Sequence, residues 1–222
     1  MPKKKGNTSN LMYEKQIYQQ GYQRILGMDE AGRGAWAGPV TVGAVALPLG
    51  MPKLTKVLTG VRDSKEMTPL QRSRVVETIK ETALAWGVGS ASNLEIDTVG
   101  INTATKLAME RALTDAQTRF PGFVPDCLFL DALIWPEKAA EYPQVTIVDG
   151  DARSLTIAAA SIIAKTWRDE AMQDLDTELP QYAFGIHKGY GTASHRAALR
   201  TFGATPLHRV SFAPIRKMLD AN

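Results

Sequence analysis

The chain has little cysteine and no long apolar run, and each of these absences excludes a class of protein. Its 222 residues include one cysteine, Cys127, so no disulfide can form within the chain and a zinc site built on several cysteines is excluded. Its apolar runs are all far shorter than the roughly 20 residues that cross a bilayer. The polar start, residues 1–10, lacks the apolar segment of a secretory signal, so we expect a cytoplasmic protein with no membrane association.

Histidine and net charge are also sparse. The three histidines, His187, His195 and His208, do not have the spacing of a zinc-hydrolase motif. The formal net charge of +3 permits a nucleic-acid partner without requiring one. The chain is 44% hydrophobic and 22% charged, which is ordinary for a globular protein, and its length suits one large domain.

Hydrophobic patterning predicts an α/β domain. Strands are expected over 24–28, 40–47, 83–90, 126–131 and 144–148, and helices over 13–23, 68–81, 97–118, 154–179, 192–202 and 211–219. Three early strands, followed by strands that helical crossovers separate, favour a mixed sheet flanked by helices. We therefore expect a flexible start and short helix over 1–21, and a single domain over 22–222 whose C-terminal helical part begins near residue 180.

A pair of acids and a glycine turn form the most informative segment. Asp29 and Glu30 come at the end of an apolar run and are followed by Gly32, Arg33 and Gly34, which we name the Gly-Arg-Gly turn. Adjacent buried carboxylates repel each other and lose hydration unless a cation lies beside them. The glycines let the backbone approach a ligand closely and point its N–H groups at an anion. The segment indicates metal-assisted chemistry on a phosphate, although a tight turn beside ion-pair partners is an alternative.

Further acids could complete a metal site. Asp131 ends its predicted strand much as Asp29 does, and ligands of open α/β sheets gather at strand ends. A fourth acid could be Asp151 or Asp169. The pattern alone favours a turn residue near a helix N-terminus for Asp151 and an ion-pair partner for Asp169. Carboxylates without histidine or cysteine suit Mg²⁺ or Mn²⁺ rather than zinc, and two such ions could activate a water against a phosphodiester.

Two other segments offer contacts to a phosphate or a sugar. Ser64 and Lys65 lie in a loop where a hydroxyl and an ammonium could meet a phosphate. Lys188 and Tyr190 lie in a glycine-containing turn before a helix, and the tyrosine has a flat face for a sugar or base. The alternatives are ordinary loop residues for the first segment and a glycine turn before a helix N-cap for the second.

Taken in order, these segments resemble the ribonuclease HII family in its bacterial form. The resemblance extends from about Tyr22 to Lys217. The motifs that carry it lie at 28–34 with 38–40, 63–65, 130–131, 150–151 with 159–165 and 168–169, 187–192, and 208–209 with 211–214. Each motif is short, and their order along the chain makes the resemblance specific.

The resemblance implies an RNase H-like fold with a C-terminal helical extension. It implies endonucleolytic cleavage of RNA in RNA–DNA hybrids, and nicking of DNA on the 5′ side of embedded ribonucleotides, with Mn²⁺ or Mg²⁺ as cofactor. The products would carry a 5′-phosphate and a 3′-hydroxyl. By position, the metal-binding catalytic acids are Asp29, Glu30, Asp131 and Asp151. The family pattern thus selects Asp151 as the fourth acid and leaves Asp169 as an ion-pair partner.

The resemblance also implies how the substrate is held. It assigns substrate binding to Gly32, Arg33, Gly34, Ser64, Lys65, Lys188 and Tyr190. The Gly-Arg-Gly turn would contact the 2′-hydroxyl through its backbone, because that group distinguishes RNA from DNA. Tyr190 would stack on the neighbouring deoxyribose, while Ser64 and Lys65 would hold a phosphate. No obligate protein partner is evident.

The chain departs from the family pattern in three places. Ala35 and Trp36 stand where Pro-Leu is more frequent, and the segment 132–136 lacks the usual glycine-containing turn. Asp149 stands where a lysine commonly precedes the Gly-Asp pair, which adds negative charge beside the expected metal site.

Two other functions stay open on the sequence. Another RNase H-like DNA nuclease would cleave an all-deoxy duplex equally well. A non-catalytic nucleic-acid-binding module would rely on the basic balance of the chain, but it leaves the acids unexplained because they repel phosphates.

Overall fold

The computed structural model describes residues 9–220, and within them five strands form one mixed sheet. The strands are β1 (Ile25–Ala31), β2 (Val40–Ala46), β3 (Ala85–Ala91), β4 (Cys127–Asp131) and β5 (Gln144–Ile147). Their order across the sheet is β3-β2-β1-β4-β5. β2 is antiparallel to both β1 and β3, whereas β4 is parallel to β1 and to β5. The predicted mixed five-stranded sheet is therefore confirmed.

Ten α-helices are present in the described part of the chain. They are α1 (Met12–Tyr18), α2 (Leu54–Val57), α3 (Pro69–Thr82), α4 (Asn93–Val99), α5 (Ile101–Arg119), α6 (Gly150–Arg153), α7 (Leu155–Glu178), α8 (Phe184–His187), α9 (Ala193–Phe202) and α10 (Ala213–Leu219). None of the helices in residues 9–220 is long and apolar enough to cross a membrane.

Helices cover both faces of the sheet. α7 packs on β1 and β2 together with α3, and α5 packs against β3 and β2 on the other face. The first part of α7 is buried all round, which matches its almost wholly apolar sequence. Close approach of α7 requires Gly43 in β2, because a Cβ there would lie 2.3 Å from the Ala160 carbonyl oxygen. This contact fixes how far α7 lies from the strands that carry the acids.

Several predicted boundaries moved. β1 continues to Ala31, so Asp29 and Glu30 belong to the strand and do not follow it. The single helix predicted over 97–118 was wrong, because Gly100 at φ 78° divides the segment into α4 and α5. The helix predicted over 13–23 ends at Tyr18. The predicted N-cap Thr68 is confirmed, since its hydroxyl accepts from the Gln71 N–H.

The two ends of the chain pack on the sheet domain in different ways. The predicted flexible start lies in part outside the described residues, since these begin at residue 9. Glu14 of α1 is fully buried, and its carboxylate accepts from the Ser154 hydroxyl at 2.6 Å and the Thr156 N–H at 2.9 Å. After α7, the helices α8 to α10 enclose a separate apolar cluster that includes Met172, Phe184 and Ile215.

Candidate active site

Three carboxylates from distant parts of the chain meet at one edge of the sheet. β1 and β4 are parallel neighbours with Met28 opposite Leu130, so Asp29 and Asp131 follow on adjacent strands. Asp151 lies in α6, directly after β5 and before α7. One oxygen from each of the three residues lies within 4.8 Å of those from the other two. The topology alone thus accounts for their convergence.

Each carboxylate is held by a specific donor. The Glu30 N–H donates to Asp29 Oδ1 at 2.7 Å, and the Gly150 N–H donates to Asp131 Oδ1 at 2.8 Å. Lys65 Nζ donates to Asp151 Oδ2 at 3.0 Å. Each of these three bonds engages one oxygen of its carboxylate.

The cluster carries excess negative charge. Burial raises the pKa of Asp29 well above its ordinary value, and repulsion by Glu30 and Asp131 raises it further. Burial also raises the pKa of Asp131, with a contribution from Asp151. Lys65 offsets only part of this charge, and hydrogen bonding to Asp151 raises the lysine's own pKa against the effect of burial. A hard divalent cation with oxygen ligands fits this donor set.

Glu30 lies beside the cluster rather than in it. Its carboxylate is not among the three that converge, and Oε1 lies 4.0 Å from Arg33 Nη1. Oε2 is buried and has no hydrogen-bond partner within residues 9–220. Burial raises the pKa of Glu30. A buried, unpartnered carboxylate oxygen next to three converging carboxylates is a further sign that the site fits a cation.

The acids open into a cavity of about 520 Å³. It is lined by Asp29, Glu30, Ala31, Gly32, Arg33, Gly34, Ser64, Lys65, Arg72, Asp131, Ser161, Lys165 and Tyr190. The Gly-Arg-Gly turn, Tyr190 and three of the acids, Asp29, Glu30 and Asp131, thus line the same cavity. The predicted substrate-binding residues come together here, with the exception of Lys188.

Lys188 and Asp169 belong to a neighbouring groove. Lys188 Nζ donates to the Asp169 carbonyl oxygen and to Gln173 Oε1, each at 3.3 Å. Asp169 pairs with Arg72 at 2.8 Å and with Lys165 at 2.6 Å, which agrees with its predicted ion-pair role. The groove and the acidic cavity share Arg72.

Ser64 and Lys65 differ in what they can offer a ligand. Ser64 is buried, and its hydroxyl is bonded to that of Ser161 at 2.8 Å. The Lys65 side chain is 73% exposed, so its ammonium can contact both Asp151 and a ligand in the cavity. The roles assigned to both residues stay predictions.

Two buried arginines behind the Gly-Arg-Gly turn were not assigned a role from the sequence. Arg168 of α7 donates to the Pro39 and Ala37 carbonyl oxygens, and Arg209 donates to those of Gly38 and Arg33. A signal existed for the first, because Arg168 lies four residues after the buried Ala164 on the inward face of α7.

The three histidines form a buried cluster near Tyr190. His187 stacks on His195 with ring centroids 4.4 Å apart, and His195 Nε2 lies 3.1 Å from His208 Nε2. His195 Nδ1 donates to the Tyr190 carbonyl oxygen, while His208 Nδ1 accepts from the Thr205 N–H. His208 Nε2 must then carry the proton that it shares with His195, so neither ring has room for another proton. Burial lowers the pKa of both His195 and His208 to about 4.

This cluster predicts a pH-dependent stability. Between the ordinary pKa of 6.5 and about 4, the unfolded chain binds protons at His195 and His208 that the folded chain excludes. The free energy of unfolding should therefore rise with pH in this window, by up to about 1.4 kcal/mol per pH unit for each histidine. Urea unfolding of the wild type and of a variant with both His195→Asn and His208→Asn, from about pH 4.5 to pH 7.5, tests this because groups outside the cluster are common to both. Equal pH slopes for the two proteins would contradict it.

Comparisons with known proteins show which family this chain is similar to in sequence and in fold. The family model described as Ribonuclease HII matches residues 26–215. A Ribonuclease HII of Roseiflexus castenholzii is 46% identical over 221 residues, which cover 98% of this chain and 94% of the relative. In fold, the chain is similar to the crystal structure of ribonuclease H2 from Pyrococcus horikoshii OT3, with a TM-score of 0.69, 23% identity and coverage of 89% of this chain and 98% of the other. It is also similar to Bst-RNase HIII in complex with Mn²⁺, with a TM-score of 0.67, 21% identity and coverage of 92% and 71%. The chain, with its RNase H-like sheet and converging acids, belongs to the ribonuclease HII family and is a ribonuclease H.

Proposed function

We propose that this enzyme hydrolyses RNA in RNA–DNA hybrids and nicks DNA on the 5′ side of embedded ribonucleotides. The observation that carries the proposal is the convergence of Asp29, Asp131 and Asp151 within 4.8 Å, beside the Gly-Arg-Gly turn. The Ribonuclease HII name of a relative at 46% identity supports the same activity.

The three converging acids and Glu30 would hold Mn²⁺ or Mg²⁺. Their oxygen-only donor set fits either ion, and a related RNase HIII has been solved with Mn²⁺. When bound, the metal supplies an activated water and stabilises the departing oxygen. The protein's own contribution is to hold the carboxylates in place through the Glu30 and Gly150 N–H groups and Lys65. Hydrolysis would break the bond from phosphorus to the 3′-oxygen and leave a 3′-hydroxyl and a 5′-phosphate.

Recognition of the ribonucleotide would fall to the turn. The backbone N–H groups of Gly32, Arg33 and Gly34 donate to no acceptor within the described part of the chain. Three free donors at the edge of the cavity can bond to the oxygens of a sugar or phosphate, and only a ribose offers a 2′-hydroxyl.

Tyr190 and the cations would hold the flanking backbone. Tyr190 is half-buried in the lining of the same cavity, where its ring can stack on a neighbouring deoxyribose. Lys65 would meet a phosphate with help from Ser64, and Lys188 would contact the backbone farther along the adjacent groove. Lys65 and Lys188 supply the sequence-independent attraction that positions a nucleic acid.

We extend the proposal to the setting of the reaction. We propose that the enzyme acts without an obligate protein partner. We propose one catalytic domain over 22–222, including the C-terminal helical part. We place the protein in the cytoplasm of its cell, because its substrate arises where nucleic acid is replicated.

A single comparison tests the proposed function. A DNA duplex with one ribonucleotide, labelled at the 5′ end, should be cut on the 5′ side of that ribonucleotide with Mg²⁺ or Mn²⁺, and not with a chelator. The all-deoxy duplex of the same sequence should remain intact, since it lacks the 2′-hydroxyl. Equal cutting of both duplexes would indicate a general DNA nuclease, and binding without cutting would indicate a non-catalytic module.

A further inference from the structure

Two arginines are buried behind the active site without an acidic partner. Arg168 and Arg209 are both fully buried, and within residues 9–220 no carboxylate forms an ion pair with either. Each also has one guanidinium nitrogen, Nη1 of Arg168 and Nη2 of Arg209, with no hydrogen-bond partner in the described chain. Burying an uncompensated charge is strongly unfavourable. Two such charges in one place lower the stability of the fold, which suggests that these arginines have a functional role.

Both arginines bond to the segment that contains the Gly-Arg-Gly turn. Arg168 Nε donates to the Pro39 carbonyl oxygen at 2.9 Å, and Nη2 donates to that of Ala37 at 3.3 Å. Arg209 Nε donates to the Gly38 carbonyl oxygen at 3.0 Å, and Nη1 donates to that of Arg33 at 2.9 Å. Four carbonyl groups are thereby drawn towards the interior.

Arg168 has two further contacts that Arg209 lacks. It packs directly against Gly32, where an added Cβ would lie 1.8 Å from its Nε. On another side, its Cζ lies 5.4 Å from the centre of the Tyr190 ring. The Arg209 guanidinium lies instead over Phe212, at 5.2 Å. Both arginines therefore contact the turn, Arg209 through the Arg33 carbonyl oxygen, but of the two only Arg168 also lies over the Tyr190 ring.

We propose that Arg168 is a positioning residue that sets the spacing between the Gly-Arg-Gly turn and Tyr190, and so makes the enzyme favour a ribonucleotide that has a deoxyribose neighbour. The inference rests on the proposed function. The turn would contact the 2′-hydroxyl, and Tyr190 would stack on the next sugar, where a second 2′-hydroxyl is crowded. The preference depends on a fixed distance between two surfaces, and the rigid guanidinium between them holds that distance.

The test measures a preference rather than an overall rate. The kcat/KM for a DNA duplex with one ribonucleotide is divided by the kcat/KM for a hybrid whose RNA strand contains no deoxynucleotide. A change that only lowers the amount of folded enzyme alters both values equally and leaves the ratio unchanged. A change in the spacing alters the ratio, because only one substrate presents a deoxyribose to Tyr190.

Three variants separate the roles of the two arginines. Arg168→Gln places an amide nitrogen where Nε was, so the bond to Pro39 can persist while the contact with Tyr190 is lost. Arg168→Lys keeps the charge and most of the length. Arg209→Gln is the matched control, since it loses an equally buried guanidinium that bonds to the same segment. Thermal unfolding of each variant confirms that it is folded.

We expect Arg168→Gln to lower the ratio about tenfold, Arg168→Lys to retain part of it, and Arg209→Gln to leave it within about twofold of the wild type. If Arg168→Gln does not fold, Arg168→Lys carries the same comparison with a smaller expected loss. An unchanged ratio in the folded Arg168 variants, or an equal loss in Arg209→Gln, would overturn the inference. Failure of the wild-type enzyme to cut either substrate would instead contradict the proposed function.

Discussion

Replacing Asp29 by asparagine should abolish cleavage and, in metal-free buffer, raise the free energy of unfolding. Asp29 is buried beside Glu30 and Asp131, and its raised pKa reports that the folded chain disfavours its charge. Asparagine keeps an oxygen for the Glu30 N–H and removes that charge. The same change weakens any divalent ion bound there, so activity should fall by about three orders of magnitude.

Asp126→Asn is the control for this prediction. Asp126 directly precedes β4, at the opposite end of that strand from Asp131. Its carboxylate accepts from the Gln23 and Arg24 N–H groups at 2.9 Å. This variant should lose stability and retain cleavage, the reverse of Asp29→Asn on both measures. Urea unfolding with and without Mg²⁺ and cleavage of the single-ribonucleotide duplex decide the matter. A less stable metal-free Asp29→Asn, or one that still cuts, would contradict the account of the cluster.

Gly32→Ala should be strongly destabilising and inactive, whereas Gly122→Ala should be tolerated. The two glycines have nearly the same positive φ, 89° and 90°. A Cβ at Gly122 meets nothing within 4 Å, so only the strain of about 1–2 kcal/mol applies. A Cβ at Gly32 would overlap Arg168, which adds about 1–3 kcal/mol of overpacking and displaces the turn from the cavity.

The matched φ values make this pair informative. Any difference between the two free energies of unfolding, measured with urea, isolates the contact with Arg168 from the backbone strain. Cleavage of the single-ribonucleotide duplex by the folded fraction of each variant then reports the position of the turn. Equal stability losses in Gly32→Ala and Gly122→Ala would show that the packing between Arg168 and Gly32 does not hold the turn.

The sheet and part of the site could be predicted from local pattern. Apolar runs rich in β-branched residues predicted the five strands. Asp29 and Asp131 each lie near the end of such a run, which indicated that the two side chains could meet at one edge of the sheet. The helix boundary at Gly100 was missed, since the hydrophobic stripe continues across it and the break depends on a positive φ. The strand end after Asp29 was also missed, because pairing with β2 extends β1 to Ala31 beyond its apolar part.

The rest of the site depends on contacts between residues that are far apart in the sequence. Asp151 has the local pattern of a turn residue, and only the order of the family motifs selected it before the fold showed it beside Asp131. Lys188 shares a motif with Tyr190 but lines another groove, and the local pattern gave no sign of the left-handed φ of 53° at Lys188. Arginine is a residue type that usually lies on the surface, so the sequence did not predict the burial of Arg168 and Arg209. Their burial depends on the segment 33–39, whose carbonyl oxygens accept their hydrogen bonds.

The most direct test of the account compares Asp151→Asn with Asp149→Asn in single-turnover cleavage of the single-ribonucleotide duplex. The two acids are two residues apart, with Asp149 directly before α6 and Asp151 within it, but only Asp151 is buried in the cluster, and Asp149 is exposed. We predict a loss of at least about a hundredfold for Asp151→Asn and a change within about threefold for Asp149→Asn. Full activity of Asp151→Asn, or equal losses in the two variants, would contradict the claim that these converging carboxylates form the active site.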